Sequence, residues 1–371
     1  MAPPLKGIRV LELAGLAPVP FAGMILSDFG ADVIRVDRVG TTNVDTLCRN
    51  KKSIAVNLKQ PAGVEVVKQL AKRVDILLDP FRPGIMEKLN LGPDALCAIN
   101  PRLIYARLTG YGQEGSLSQA AGHDINYISM SGVLSMMGRR GERPYFPINL
   151  LADFAGGGLL CVCGILMALY ERQQSGLGQV IDNSMTNGVA YLGTFLYNLK
   201  KFGFEFQEER GANLLDGGAP FYEVYKTSDE KFLSVGALEP QFYSELIKGM
   251  GLSSLVNLST QNDPSTWPEL QRLFADTFAS QPLEHWLKVF NGTDACVTPV
   301  VDFTACNYPS PAPKLSRSPA IEPQIEDTSV FLEVGQHTME ILREIGYSPK
   351  QLQRMLAENA IAGSEIINSK L

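Results

Sequence analysis

Histidine is scarce in this chain: three residues of 371, alongside two tryptophans and six cysteines. No CxxC pair and no Cys/His grouping at zinc spacing occurs, which argues against a zinc module or a dithiol redox motif. Cys48, Cys97, Cys161, Cys163, Cys296 and Cys306 read as reduced thiols of an intracellular protein. After the first strand candidate the chain runs Ala14-Gly15-Leu16-Ala17-Pro18-Val19-Pro20, without G-x-G-x-x-G spacing, and no G-x-x-x-x-G-K-[ST] follows anywhere. A nicotinamide dehydrogenase and a P-loop enzyme are therefore disfavoured. The G-x-S-x-G elbow is absent too, so serine-centred hydrolysis is a weak option. Cations are in deficit: net charge −6 argues against a nucleic-acid or anionic-membrane binder. The longest uncharged runs, Phe154 to Tyr170 and Asn183 to Leu199, are 17 residues each. That is the lower limit for a membrane span, and both are expected to be buried helices. The first residues lack an apolar signal core, so no cleaved leader is expected.

What is present is ample apolar material, 45% of the chain, with 19% charged. At ~150 residues per domain the length suggests two or three domains. Ile8–Leu13, Ala31–Val36, Ser53–Leu58, Val74–Leu78 and Leu103–Leu108 read as strands alternating with helices. That pattern implies parallel βαβ units, a Rossmann-like α/β domain over residues 1–200. Leu151 to Gln173 reads as one helix, loosened by Gly156-Gly157-Gly158, a run that suggests close approach by a ligand or another backbone. Residues 204–306 read as a smaller α+β domain, with a hairpin across Ser228-Asp229-Glu230 and a capping box at Thr266–Glu269. Residues 307–334 hold five prolines and read as a linker, and 335–371 as closing helices that rejoin the large domain, the last capped by Ser348. Ser369-Lys370-Leu371 matches a peroxisomal address read by an import receptor.

The three histidines narrow the search for acid–base chemistry. His285 lies on an amphipathic helix and His337 is expected exposed near a helix start. His123 instead follows Gly110, Gly112, Gly115 and Gly122 and precedes a helix from about Asp124. Unpaired N–H groups there suit an oxyanion or enolate. A satisfied structural histidine is the competing reading. Asp153 and Glu239 also stand at helix starts, where a carboxylate is commonly only stabilising.

At Gly122-His123-Asp124-Ile125-Asn126-Tyr127 the chain resembles the α-methylacyl-CoA racemase family, within the family III CoA-transferase superfamily. Further matching runs are Gly15-Leu16-Ala17-Pro18, Phe81-Arg82-Pro83-Gly84, Leu151-Ala152-Asp153-Phe154, Asp216-Gly217-Gly218-Ala219-Pro220 and Glu239-Pro240-Gln241-Phe242. The resemblance implies an interlocked homodimer of two-domain chains. It implies racemisation of 2-methylacyl-CoA thioesters at C2, without metal or redox cofactor, on branched fatty acyl and bile-acid-intermediate esters. His123 and Asp153 then correspond to the catalytic pair and Glu239 to the residue that orients the histidine. Arg38, the run Val56-Asn57-Leu58-Lys59, and Gly122, Asp124, Ile125, Asn126 and Tyr127 correspond to CoA- or substrate-contacting positions. Peroxisomal residence is implied, with room for a mitochondrial fraction.

The expected mechanism takes the C2 proton from the 2S ester with His123 and from the 2R ester with Asp153, the enolate held by the Asp124 N–H. Arg82, Lys88 and Arg107 are further cations for the CoA phosphates, and Met130, Met136, Met137 and Met185 could line an acyl path. Two alternatives stay open: a family III CoA transferase with Asp153 as nucleophile, and a non-catalytic acyl-CoA binder. Compared with the family, roughly a helix's worth of sequence is missing between Thr298-Pro299-Val300 and the proline linker.

Overall fold

The computed structural model describes residues 2–323 and 331–363. Ser369-Lys370-Leu371 lies outside the described residues. The chain divides into two compact units, one drawn from residues up to 131, 147–192 and 309 onward, the other from 132–146 and 193–308. Residues 132–146, expected within the large domain, therefore cluster with the second unit.

The first unit is laid down as β1 (Arg9–Leu13), α1 (Pro18–Asp28), β2 (Asp32–Arg38), β3 (Lys51–Val56), α2 (Pro61–Ala71) and β4 (Ile76–Asp79). It continues through α3 (Ile85–Lys88), α4 (Pro93–Ile99), β5 (Ile104–Thr109) and α5 (Asp124–Met130). Then come a π-helix (Leu150–Leu159), α6 (Leu160–Ser175), β6 (Val180–Ser184) and α7 (Met185–Leu192). Prolines in the first turns start α1, α2 and α4, where their missing N–H costs nothing. Gly30, at φ +99°, ends α1 in a conformation that other residues rarely adopt. Strands β1, β4 and β5 are buried along nearly their whole length, charged Glu12, Asp79 and Arg107 included, because both sheet faces are covered.

The second unit holds α8 (Thr194–Lys201), β7 (Tyr222–Lys226), β8 (Phe232–Gly236), α9 (Pro240–Gly249), α10 (Trp267–Ala279), α11 (Leu283–Phe290) and β9 (Val297–Pro299). The three strands form an antiparallel sheet in the order β7-β8-β9. Its core is aromatic: Phe221, Tyr225, Phe274, Phe278, Trp286 and Phe290. The hairpin is where the turn residues put it, but the capping box is not. Thr266 adopts helical angles and makes no cap bond; its hydroxyl donates to the Asp263 carbonyl at 2.8 Å instead.

The chain returns to the first unit with α12 (Thr338–Glu344), α13 (Pro349–Ala357) and β10 (Ile361–Ala362). At α13 the capping box forms, with Ser348 and Gln351 bonding reciprocally. The completed sheet runs β10-β3-β2-β1-β4-β5-β6, parallel except for β10 on β3. Strand order thus reverses between β1 and β4, a switch point of the kind at which open α/β sheets bind ligands beyond the strands' carboxyl ends. His337, expected exposed, is half-buried: its Nδ1 accepts the Ser53 N–H at 3.2 Å and so ties α12 to β3.

The two uncharged runs differ from expectation. Asn183 to Leu199 is divided among β6, α7 and α8, with a break at Gly193. The continuous helical stretch Leu150–Ser175 is long and apolar enough to cross a membrane by length and composition alone. Cys161, Ile165 and Ala168 on α6 are buried, while Leu166, Met167 and Tyr170 are exposed. Burial of α6 is therefore one-sided.

Candidate active site

A cavity of about 560 Å³ opens where β1, β4 and β5 end. Gly15 and Leu16 wall it after β1, Pro80 to Arg82 after β4, and Thr109 to Tyr111 at the end of β5. His123 and Asp153, 30 positions apart in sequence, both line it.

His123 is the N-cap of α5, in extended geometry at φ −130° and ψ 177°. Its N–H donates to Asn126 Oδ1 at 3.1 Å, and its carbonyl accepts the N–H groups of Asn126 and Tyr127 at 2.8 and 3.2 Å. The backbone is thus held from both sides while the imidazole stays exposed. Tyr127 donates its hydroxyl to the Gly122 carbonyl, and its ring meets Tyr111 edge to face at 5.0 Å. Gly110 is required here, since a Cβ would lie 2.2 Å from the Tyr127 ring.

Asp153 sits in the π-helix, a rare conformation that recurs at functional sites. The run Gly156-Gly157-Gly158 explains how this segment packs. A Cβ on Gly156 would stand 2.9 Å from the Val189 nitrogen, and one on Gly158 would stand 2.9 Å from the Pro18 carbonyl oxygen. The close approach is by other backbone, from α7 and α1. The Asp153 carboxyl is half-buried, and burial pushes its pKa above the ordinary carboxylate range. The Asn149 amide, donating at 3.2 Å, and the charge of His123 pull the other way, while Asp124 adds to the rise. His123 and Asp153 therefore share one electrostatic environment as well as one cavity.

Asp124 is 3% exposed and does not line the cavity. A second cavity of about 640 Å³ shares Ala14, Gly15 and Leu16 with the first and is bordered by Arg38, Thr41, Asn43 and Phe154. Of the expected contact positions, Gly122, Asn126 and Tyr127 line the first cavity and Arg38 the second. Ile125 is exposed outside them. Val56, Asn57, Leu58 and Lys59 line neither. Val56 pairs with Ile361, Leu58 packs on the core, and the Asn57 side chain is spent on the Asn359 carbonyl and the Lys59 N–H.

Arg82 lines the first cavity. Arg107 does not: it is buried, 2.7 Å from Glu87 and 3.6 Å from Asp79. Lys88 is exposed at the end of α3, and among the four methionines only Met185 reaches the cavity. Glu239 lies in the second unit as the exposed N-cap of α9, without a capping bond. Its charge is felt by Cys296, on the border of a cavity of about 620 Å³ over the small sheet. Among the described residues no group of three or more His, Cys, Asp or Glu is placed to hold a metal.

Sequence reasoning missed Asp79. It is fully buried at the end of β4, accepting the Phe81 N–H at 2.8 Å and the Tyr105 hydroxyl at 3.2 Å, and burial pushes its carboxyl up to about 6. The available signal was its position, one residue before the Pro80–Phe81–Arg82 wall.

Residues 5–311 match the model of "CoA-transferase family III". Proteins named "Alpha-methylacyl-CoA racemase" from Mus musculus and Homo sapiens are each 50% identical to this chain, over 381 and 382 aligned positions and 98% of both chains. The alignment with the mouse protein is longer than the 371 residues here, so at least ten of its positions are gaps in this chain. A solved structure of a CAIB/BAIF family protein from Brucella suis has the same fold, with TM-score 0.75 and 22% identity over 93% of this chain and 100% of that one. The extent of these matches shows that the chain belongs to CoA-transferase family III.

Proposed function

We propose that this chain interconverts the 2R and 2S epimers of 2-methylacyl-CoA thioesters by moving the C2 proton between His123 and Asp153. The observation that carries the proposal is one imidazole and one carboxyl in the wall of a single cavity, the carboxyl sensing the charge of the imidazole. Racemisation needs a base on one face of C2 and an acid on the other, with roles exchanged in reverse. His123 takes the proton from the 2S ester while protonated Asp153 delivers one to the opposite face. From the 2R ester the roles invert. The raised affinity of Asp153 for a proton supports both halves, since a carboxyl of ordinary acidity would be a poor donor at neutral pH. The thioester carbonyl itself acidifies C2, so the proposed reaction asks for no metal or redox cofactor.

Negative charge grows on the thioester oxygen as the enolate forms. The Asp124 N–H, at the head of α5, is the donor we assign to it. The second cavity, with Arg38 at its border, is proposed for the CoA moiety, and Arg suits bidentate phosphate contact. We further propose a homodimer whose second copy covers the exposed apolar residues of α6, Leu166, Met167 and Tyr170, and brings Glu239 to orient His123. Fatty acyl and bile-acid-intermediate esters with a 2-methyl branch are the proposed substrates. Peroxisomal residence rests on Ser369-Lys370-Leu371 and is tested by imaging a fusion with and without that tripeptide.

The high identity to racemases favours this reading over a transferase, which the family match supports only at family level. The test incubates one epimer of a 2-methylacyl-CoA in D₂O. Deuterium at C2 together with loss of optical purity is expected. Acyl exchange only on adding a free carboxylic acid would make the chain a transferase, and binding without either outcome would make it a non-catalytic homologue.

A further inference from the structure

Asp124 is almost fully buried, yet it stands in sequence beside one proton carrier and in space beside the other. Its Oδ2 accepts the N–H groups of Ala152 and of Asp153, both at 2.7 Å. Those donors belong to the first turn of the π-helix, where i→i+5 bonding leaves N–H groups without an internal partner. One carboxylate oxygen thus joins the start of α5 to the turn that presents Asp153. The other oxygen, Oδ1, is buried with no hydrogen-bond partner among the described residues. A carboxylate kept in this state costs more than a neutral residue of the same shape, which points to a use for the arrangement beyond packing.

Resting on the two-base reading above, we propose that the Asp124 side chain is a positioning residue that holds the Asp153 carboxylate in register with His123 across the reacting carbon. Its negative charge also makes Asp153 a stronger base. The other charged and titratable groups in the neighbourhood are His123, Arg82, Tyr111 and Tyr127. Of the elements packed on the π-helix, α1 and α7 present uncharged Phe21, Gly188 and Val189 to its glycines, and β6 presents Asn183, whose amide donates to the Gly156 and Gly157 carbonyls at 3.2 Å.

Asp124→Ala removes the clamp and Asp124→Asn keeps an acceptor oxygen without the charge. With a single-epimer 2-methylacyl-CoA in D₂O, kcat for C2 exchange should fall about 10²-fold in Asp124→Ala, the scale expected of an ~1 Å misplacement, while KM moves less than about threefold. Asp124→Asn should recover most of that loss. With the 2R epimer, for which Asp153 is the base, its acid limb in kcat/KM should lie at lower pH than in the unaltered protein, because Asp153 no longer faces a second negative charge. If Asp124→Ala does not fold, the pH profile of Asp124→Asn decides alone. Unchanged kcat in Asp124→Ala, or an unmoved acid limb in Asp124→Asn, overturns the inference. His123→Ala in parallel separates the two claims: loss of exchange there with wild-type behaviour at 124 leaves the two-base reading standing and removes only the clamp. Absence of exchange in the unaltered protein removes both.

Discussion

Two clusters of carboxylates are folded into the same unit, and they are treated differently. Glu12, on β1, has no exposed surface, and both its oxygens are engaged: Oε2 with Lys51 Nζ at 2.7 Å, Oε1 with Arg35 Nη1 at 3.2 Å. Arg35 extends the network to Asp37 at 2.9 Å and Asp45 at 2.5 Å, and Lys51 also donates to the Pro20 carbonyl at 2.8 Å. Gly23 is part of that arrangement, since a Cβ there would overlap Glu12 Oε2 at 1.8 Å. Around the cavity, by contrast, Asp153 has one amide donor at 3.2 Å, Asp124 keeps an unpartnered oxygen, and His123 faces solvent. Charges that are fully paired hold β1, β2 and β3 together. Of the charges left under-paired at a switch point of the sheet, His123 and Asp153 are those to which we assign the proton transfer.

Breaking the second cluster should cost activity and leave the fold. His123→Ala or Asp153→Asn is expected to lower C2 deuterium exchange by about 10³-fold or more, within the range for loss of a positioned acid or base. The thermal midpoint should stay within a few degrees. A variant at either position that exchanges normally would end the two-base reading, and one that unfolds would mean the two clusters do not differ as argued.

Breaking the first cluster should do the reverse. Lys51→Met leaves Glu12 buried with one cation fewer, and removing one partner of a buried pair typically costs about 3–5 kcal/mol. The denaturant midpoint is the measurement. A loss under about 1 kcal/mol would show that Arg35 alone satisfies Glu12.

Asp79 stands between the two cases. Its carboxyl is held up to about 6 by burial, against 3.8 for the ordinary group. An acid whose folded pKa is raised binds its proton more tightly in the native state. Its contribution is therefore full below pH ~4 and is lost as pH rises through about 6, on the order of 3 kcal/mol in total. Asp79→Asn, which cannot ionise, should gain relative stability over that window and stay level above it. Unfolding both proteins at pH 4 and pH 7 tests this, and a difference between them that does not change with pH would show that Arg107 already compensates the charge.

Most of the fold was legible because its signals are local. Apolar strands, prolines in first turns and Gly30 act within a few residues of where they stand. The sites differ in this respect. His123 could be picked out because histidine is rare and glycines precede it, but the clamp from Asp124 to Asp153 spans 29 positions and leaves no periodic trace. The Glu12 network was signalled only by charges inside otherwise apolar strands, Glu12, Arg35 and Lys51. The glycine run announced a close approach without naming its partner, which proved to be backbone of α1 and α7.

The two helix caps set the smallest effects against each other. Ser348 and Thr266 offer the same kind of sequence signal, a hydroxyl three residues before Gln351 or Glu269, with a proline one residue on at Pro349 and two residues on at Pro268. Ser348 is extended, at φ −72° and ψ 156°, so its Oγ reaches the Gln351 N–H. Thr266, at φ −86° and ψ −20°, is already turned into the helix and reaches back to Asp263 instead. Ser348→Ala should therefore cost about 1 kcal/mol, the usual worth of such a cap, and Thr266→Ala clearly less. Chemical denaturation of the two variants measures the difference. Equal losses would mean that the hydroxyl at 266 is worth as much in its turn as the one at 348 is in its cap, and backbone angle would no longer explain which signal the fold uses.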